Sequence, residues 1–112
     1  MGNSYKDLIV WQRAFEMSIA IYQLTAEFPR EEMYGLAAQL RRAGVSVASN
    51  IAEGYGRLST GEYKQFLGMA RGSNLEVQTQ LQIAAALRFG NTVNFKTWKN
   101  SRLRSAKCFR LY

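Results

Sequence analysis

Residues 39–56, QLRRAGVSVASNIAEGYG, decide how the rest of the chain is read. The stretch contains no Pro, and Gly44 is its only Gly before Gly54 and Gly56 at the end. At helical spacing Leu36, Leu40, Ala43, Val47, Asn50 and Gly54 fall on one seam. Arg41, Val45, Ala48, Ala52 and Tyr55 form a second, and Arg42, Ser46, Ser49 and Glu53 a third. From Ala43 to Ala52 no residue is charged and most are small. A helix lacking a polar face is normally buried all round. The stretch is therefore expected to be a central helix, enclosed by its own bundle and by a second copy of the chain.

Working outward, the segment before it reads as an amphipathic helix from about Asp7 to Glu27, with Ser4 or Asp7 as a cap. Leu8, Trp11, Phe15, Ser18, Tyr22 and Thr25 follow one stripe, widened by Ala14, Met17, Ile21, Leu24 and Phe28. Met and aromatics at this spacing predict core. Pro29 disfavours helical geometry at Phe28 and ends the segment. Arg30-Glu31-Glu32 reads as a new start, with carboxylates near the positive end of the helix dipole. Gly35 would interrupt it, so the continuous central helix begins at Leu36 and runs to Glu53 or Tyr55, where Gly54 and Gly56 suit a cap with positive φ.

On the other side, Ser59-Thr60-Gly61-Glu62 is a capping-box pattern opening an apolar-periodic run to about Phe89. Its seam is Tyr63, Leu67, Ala70, Asn74, Val77, Leu81 and Ala84, flanked by Phe66, Ile83 and Leu87. Gly68 and Gly72 suggest a close helix contact, and Gly90-Asn91 reads as a stop. Thr92 to Tyr112 fits either a short fourth helix or an irregular basic tail. Three long helices with short connections want a fourth to close the core. The expected fold class is all-α, an up-and-down four-helix bundle in one domain spanning 1–112, with its core in 5–89.

The 112 residues carry a formal charge of +7. Residues 1–89 hold nine Lys/Arg against eight Asp/Glu, whereas 90–112 hold six bases and no acid. Such a segment attracts RNA, DNA or an acidic partner, or is simply a solvated terminus. No apolar run reaches the length of a membrane span. MGNSYKDLIVW lacks the layout of a secretory signal, and Cys108, the single cysteine, has no partner for an internal disulfide. A cytoplasmic location without membrane attachment is the expectation.

There is no His. A His/Cys metal set and a Ser–His or Cys–His pair are thereby excluded. No Walker or dinucleotide motif appears. Catalysis would have to rest on Glu53 and Glu76, aided by Arg41 or Arg42, and structural use of these acids is preferred. Neither enzyme activity, cofactor nor metal is expected. Instead Arg41 or Arg42 is expected to pair with Glu53 or Glu76, with Asn50 bonding across the helices and Ser73 beside Glu76, as a polar network that sets register. The bases Arg41, Arg42, Arg57, Lys64, Arg71 and Arg88 recur through the second and third helices and their connection. Gathered on one face of an oligomer, they would bind nucleic acid with steep salt dependence. No motif for sequence-specific readout is visible. The rival reading is a protein-interaction scaffold whose bases keep it soluble.

Several motifs carry a resemblance: Leu8-Ile9-Val10-Trp11-Gln12, Phe28-Pro29, Tyr34-Gly35-Leu36, Gln39, Arg41-Arg42-Ala43, Ser46, Asn50-Ile51-Ala52-Glu53-Gly54, and Gly72-Ser73 with Glu76. Over roughly residues 5–89 they resemble the bacterial four-helix-bundle proteins, a family also named after the intervening sequence of large-subunit ribosomal RNA. The accessory variability protein of diversity-generating retroelements is similar to the same family. The resemblance implies an up-and-down four-helix bundle, a ring-like homopentamer, and an RNA- or nucleic-acid-associated adaptor role without enzyme activity. Arg41, Arg42, Asn50, Glu53, Ser73 and Glu76 match its signature positions. The chain departs from it at 90–112, which is basic and poorly periodic where a mixed-charge amphipathic helix is implied.

Overall fold

The computed structural model describes residues 4–90. Among them are three α-helices and no strand: α1 (Ile9–Thr25), α2 (Leu36–Tyr55) and α3 (Thr60–Ala86). Single 3-10 turns at Tyr5–Asp7 and Arg30–Glu32 precede α1 and α2. The expected fourth helix lies outside the described residues.

Local chemistry sets the ends. Ser4 Oγ accepts from the Lys6 backbone N–H (3.1 Å), so it caps the first 3-10 turn rather than α1, which begins behind Leu8 without a side-chain cap. Before α2, Glu32 Oε1 accepts from the Leu36 N–H (3.1 Å) and supplies the missing cap. Ser59 opens α3 as its spacing predicts, its Oγ accepting from the Glu62 N–H (3.1 Å).

Two helix ends differ from expectation. Gly56 closes α2 at φ −80°, so neither Gly54 nor Gly56 is used for a left-handed cap. The left-handed residue belongs to α3 instead, and it is Arg88 (φ 60°). Phe89 N–H bonds the Ala84 carbonyl (2.9 Å) and Arg88 N–H the Ala85 carbonyl (3.0 Å), the two bonds of a Schellman motif. Helix α3 therefore stops before Phe89. The Phe89 ring turns back onto Phe28 at the far end of α1, with centroids 5.6 Å apart.

Helix α2 packs against both neighbours, while α1 and α3 barely approach each other. Contacts at Ser18–Gly44 and Thr25–Arg41 run α1 antiparallel to α2. Contacts at Gln39–Gln80, Ser46–Ser73 and Gly54–Phe66 do the same for α3. The core joins Ala14, Met17, Ile21 and Leu24 of α1 to Leu40, Ala43, Val47 and Ile51 of α2 and to Leu67, Ala70, Val77, Leu81 and Ala84 of α3. The α3 seam follows the periodicity, although its flanking Ile83 and Leu87 lie exposed.

The α1 face is rotated from expectation. Its widening residues form the core, whereas Phe15 and Tyr22 of the nominal stripe stand about half exposed. The reason is that apolar side chains cover most of the α1 circumference, and α2 meets only one part of it.

Nor is α2 enclosed on every side. Arg42, Val45, Ser49 and Glu53 are exposed, with Ala48 and Ala52 half-buried. The uncharged face between Ala43 and Ala52 is thus open on one side among the described residues. Gly68 and Gly72 also face open space, so they mediate no contact among the described residues. In contrast Gly54 is required: a Cβ there would lie 2.9 Å from Phe66 Cβ and 3.3 Å from the Tyr63 carbonyl.

Candidate nucleic-acid interface

The expected polar network is split into separate local units. Arg41 does not reach a carboxylate. Its Nε donates to Thr25 Oγ1 (2.7 Å), its Nη2 reaches the Tyr22 carbonyl (3.5 Å), and its guanidinium lies 4.7 Å from the Tyr22 ring centroid. Thr25, fully buried, passes its own hydroxyl hydrogen to the Ile21 carbonyl (2.7 Å). The cation is thereby held against α1 by a hydroxyl, a carbonyl and an aromatic face.

Glu53 pairs with Arg57 one turn on (2.9 Å), and Arg57 also lies 4.6 Å from the Phe66 ring centroid. A local i,i+4 pair wins because it demands no particular helix register. Being exposed, it contributes little stability. Glu76 Oε2 accepts from Gln80 Nε2 (3.2 Å), which also reaches Gln39 Oε1 (3.3 Å). Glu53 and Glu76 do not share a site. With Ser46 level with Ser73, they sit about 15 Å apart along the helices at the α-helical rise per residue.

Asn50 takes part in a side-chain link between α2 and α3 among the described residues, Gln39–Gln80 being another. Its Nδ2 donates to the Ser46 carbonyl and to Ser46 Oγ (both 2.9 Å), and Ser46 Oγ lies 3.0 Å from Ser73 Oγ on α3. Asn50 thus acts through Ser46 rather than bonding across directly.

The six candidate bases are not gathered on one face of the chain. Arg41 and Arg42 stand together near the start of α2. Arg57 follows its other end, about 20 Å away. Lys64 and Arg71 share one face of α3 two turns apart, and Arg88 lies beyond its C-terminus. Arg42, Lys64 and Arg71 are exposed and form no ion pair with a described residue.

Arg41 and Arg42 line an open groove with Tyr22, Met33 and Tyr34 on one side and Ser46, Ser73 and Glu76 on the other. Tyr22, Thr25 and Tyr34 are the parts that sequence reasoning missed. Tyr34 carried a signal: it is an aromatic in a short polar link, off every apolar stripe. Tyr22 carried none, since it reads as an ordinary member of the α1 face. Among the described residues no group of three His, Cys, Asp or Glu converges as a metal site, and no helix is long and apolar enough to cross a membrane.

Compared with known proteins, residues 6–108 match the family model described as 23S rRNA-intervening sequence protein. No curated protein matches the chain. The match spans all three helices and the groove residues, so this chain belongs to the 23S rRNA-intervening sequence protein family.

Proposed function

We propose that the protein is a non-enzymatic, oligomeric helical adaptor that binds RNA through its basic surface, its helices completed to an up-and-down four-helix bundle by the segment after Gly90. The observation that carries the RNA reading is the groove at the start of α2. There Arg41 is held in place by Thr25 and Tyr22, and Arg42 beside it is free of any carboxylate among the described residues. Two adjacent guanidinium groups that no described carboxylate pairs with suit phosphate oxygens. The overall charge of +7 favours the same ligand class, and the family's name refers to an intervening sequence of 23S rRNA. The separation of Glu53 from Glu76 supports the non-enzymatic reading.

Oligomerisation is supported by surface that no described residue covers. Beyond the groove, the face of α2 around Ala48, Ser49 and Ala52 is uncharged and open among the described residues. Beside α1 the half-buried Tyr5 and Trp11 and the half-exposed Phe15 form an aromatic run with centroids 5.1 and 5.2 Å apart. The same surface favours the second reading, a protein-interaction scaffold without nucleic-acid binding.

Salt-titrated binding of the full chain to labelled RNA separates the two. The RNA reading expects affinity to fall linearly on a log–log plot against salt, with a slope of about 0.7 per neutralised phosphate for single strands. Binding that is absent at low salt, or unchanged between low and high salt, would leave the scaffold.

A further inference from the structure

We infer that the groove at the start of α2 is a subsite for single-stranded RNA, in which the exposed Tyr34 ring stacks on an unpaired base while Arg41 and Arg42 take the adjoining phosphates. The inference rests on the RNA-binding reading above and narrows it to a ligand class and a site.

Tyr34 is 99 % exposed, yet the turn that carries it is firmly held. Met33 N–H bonds the Arg30 carbonyl (3.1 Å), Gly35 N–H bonds the Glu32 carbonyl (3.0 Å), and the Glu32 side chain caps α2 at Leu36 (3.1 Å). The bonds lie on either side of Tyr34, so its ring projects from a fixed support and both its faces are available. A base can stack there without the cost of ordering a loop. Stacking on an aromatic side chain requires an unstacked base, which a duplex interior does not offer.

Arg41 and Arg42 enter the same groove. Arg41 is preorganised by its contacts to Tyr22 and Thr25, which occupy Nε and Nη2 and leave Nη1 unengaged among the described residues. Arg42 is unpaired. Phosphates are therefore drawn to the side of these two cations, away from the Glu76 carboxylate on the α3 side.

The hydroxyl pair supplies the remaining polarity. Ser46 and Ser73 share one contact of 3.0 Å, which uses one of their two hydroxyl hydrogens. Neither donates elsewhere among the described residues, so whichever serine donates to the other, one hydrogen is left over. Both serines line the groove, as does Glu76. A leftover donor near a carboxylate acceptor suits a 2′-hydroxyl, which both accepts and donates, and this favours RNA over DNA.

The test is fluorescence anisotropy with the full chain, using a labelled single-stranded RNA of mixed sequence, the DNA of the same sequence, and the RNA duplex. Tyr34→Ala is expected to weaken single-stranded RNA binding about ten-fold and to leave duplex binding within about two-fold. Tyr34→Phe, which keeps the ring, is expected to restore binding. Arg42→Gln is expected to lower the salt slope by about one. Single-stranded RNA binding by Tyr34→Ala that equals the unaltered chain, an equal loss on duplex, or equal affinity for the DNA would each overturn the subsite. In those cases salt-dependent RNA binding, and with it the broader reading, would stand. No salt-dependent binding by the unaltered chain would remove both.

Discussion

Single atoms decide how closely α2 and α3 meet. At Gly54 the helices approach until a Cβ would overlap Phe66 Cβ, and the Tyr63 backbone carbonyl stands behind it. Backbone cannot swing aside as a side-chain tip can. Gly54→Ala is therefore expected to destabilise the fold by about 1–3 kcal/mol through overpacking. Gly72→Ala meets nothing within 4 Å and gains helix propensity, so it is expected to stabilise by about 0.5–1 kcal/mol. Urea unfolding of the two variants checks both signs. Equal effects would mean that Gly54 is not a point of close approach. At Thr25 the same scale explains Arg41: a buried hydroxyl with its hydrogen committed to Ile21 has only lone pairs left, and a guanidinium N–H fills one.

At the scale of elements, α3 is defined by its two ends. Its start is local, with Ser59 accepting from Glu62 N–H three residues on. Ser59→Ala is expected to cost about 1 kcal/mol. Its stop places a bulky residue, Arg88, in the left-handed region. That conformation costs an ordinary L-residue about 1–2 kcal/mol, and Phe89 packing on Phe28 holds it there. Arg88→Gly is expected to raise stability by about 1 kcal/mol. Thermal or urea midpoints of the two variants should move in opposite directions, and a loss of stability in Arg88→Gly would contradict the strained stop.

For the whole molecule, the half-exposed Phe15 at the edge of α1 and the neutral face of α2 around Ser49 and Ala52 are open among the described residues, and we expect copies of the chain to cover them while leaving the groove at Arg41 and Arg42 free. Mass measurement in solution should give several copies at micromolar concentration. Phe15→Glu places a charge on this edge at a half-exposed site, where folding tolerates it. It is expected to yield a folded monomer. A strict monomer for the unaltered chain would contradict the assembly. Charge belongs to this scale too, since the chain's positive excess is concentrated in residues 90–112. The described bases are scattered, and only Arg41 and Arg42 stand together.

The all-helical class, the three described helices, the α3 seam from Leu67 to Ala84 and the Ser59 cap were legible in the chain because they follow from interactions within three or four residues. The absence of His excluded whole classes of chemistry without any coordinates. What the tertiary structure alone decided are matters of neighbours. Phe15 turns outward because α2 lies against the other side of α1. Glu53 takes Arg57 rather than a base across the bundle. Arg41 is held by Thr25, and α3 stops at Arg88 because Phe89 finds Phe28. Each of these sets two segments against each other at a fixed distance and rotation, and the apolar period of one helix specifies neither.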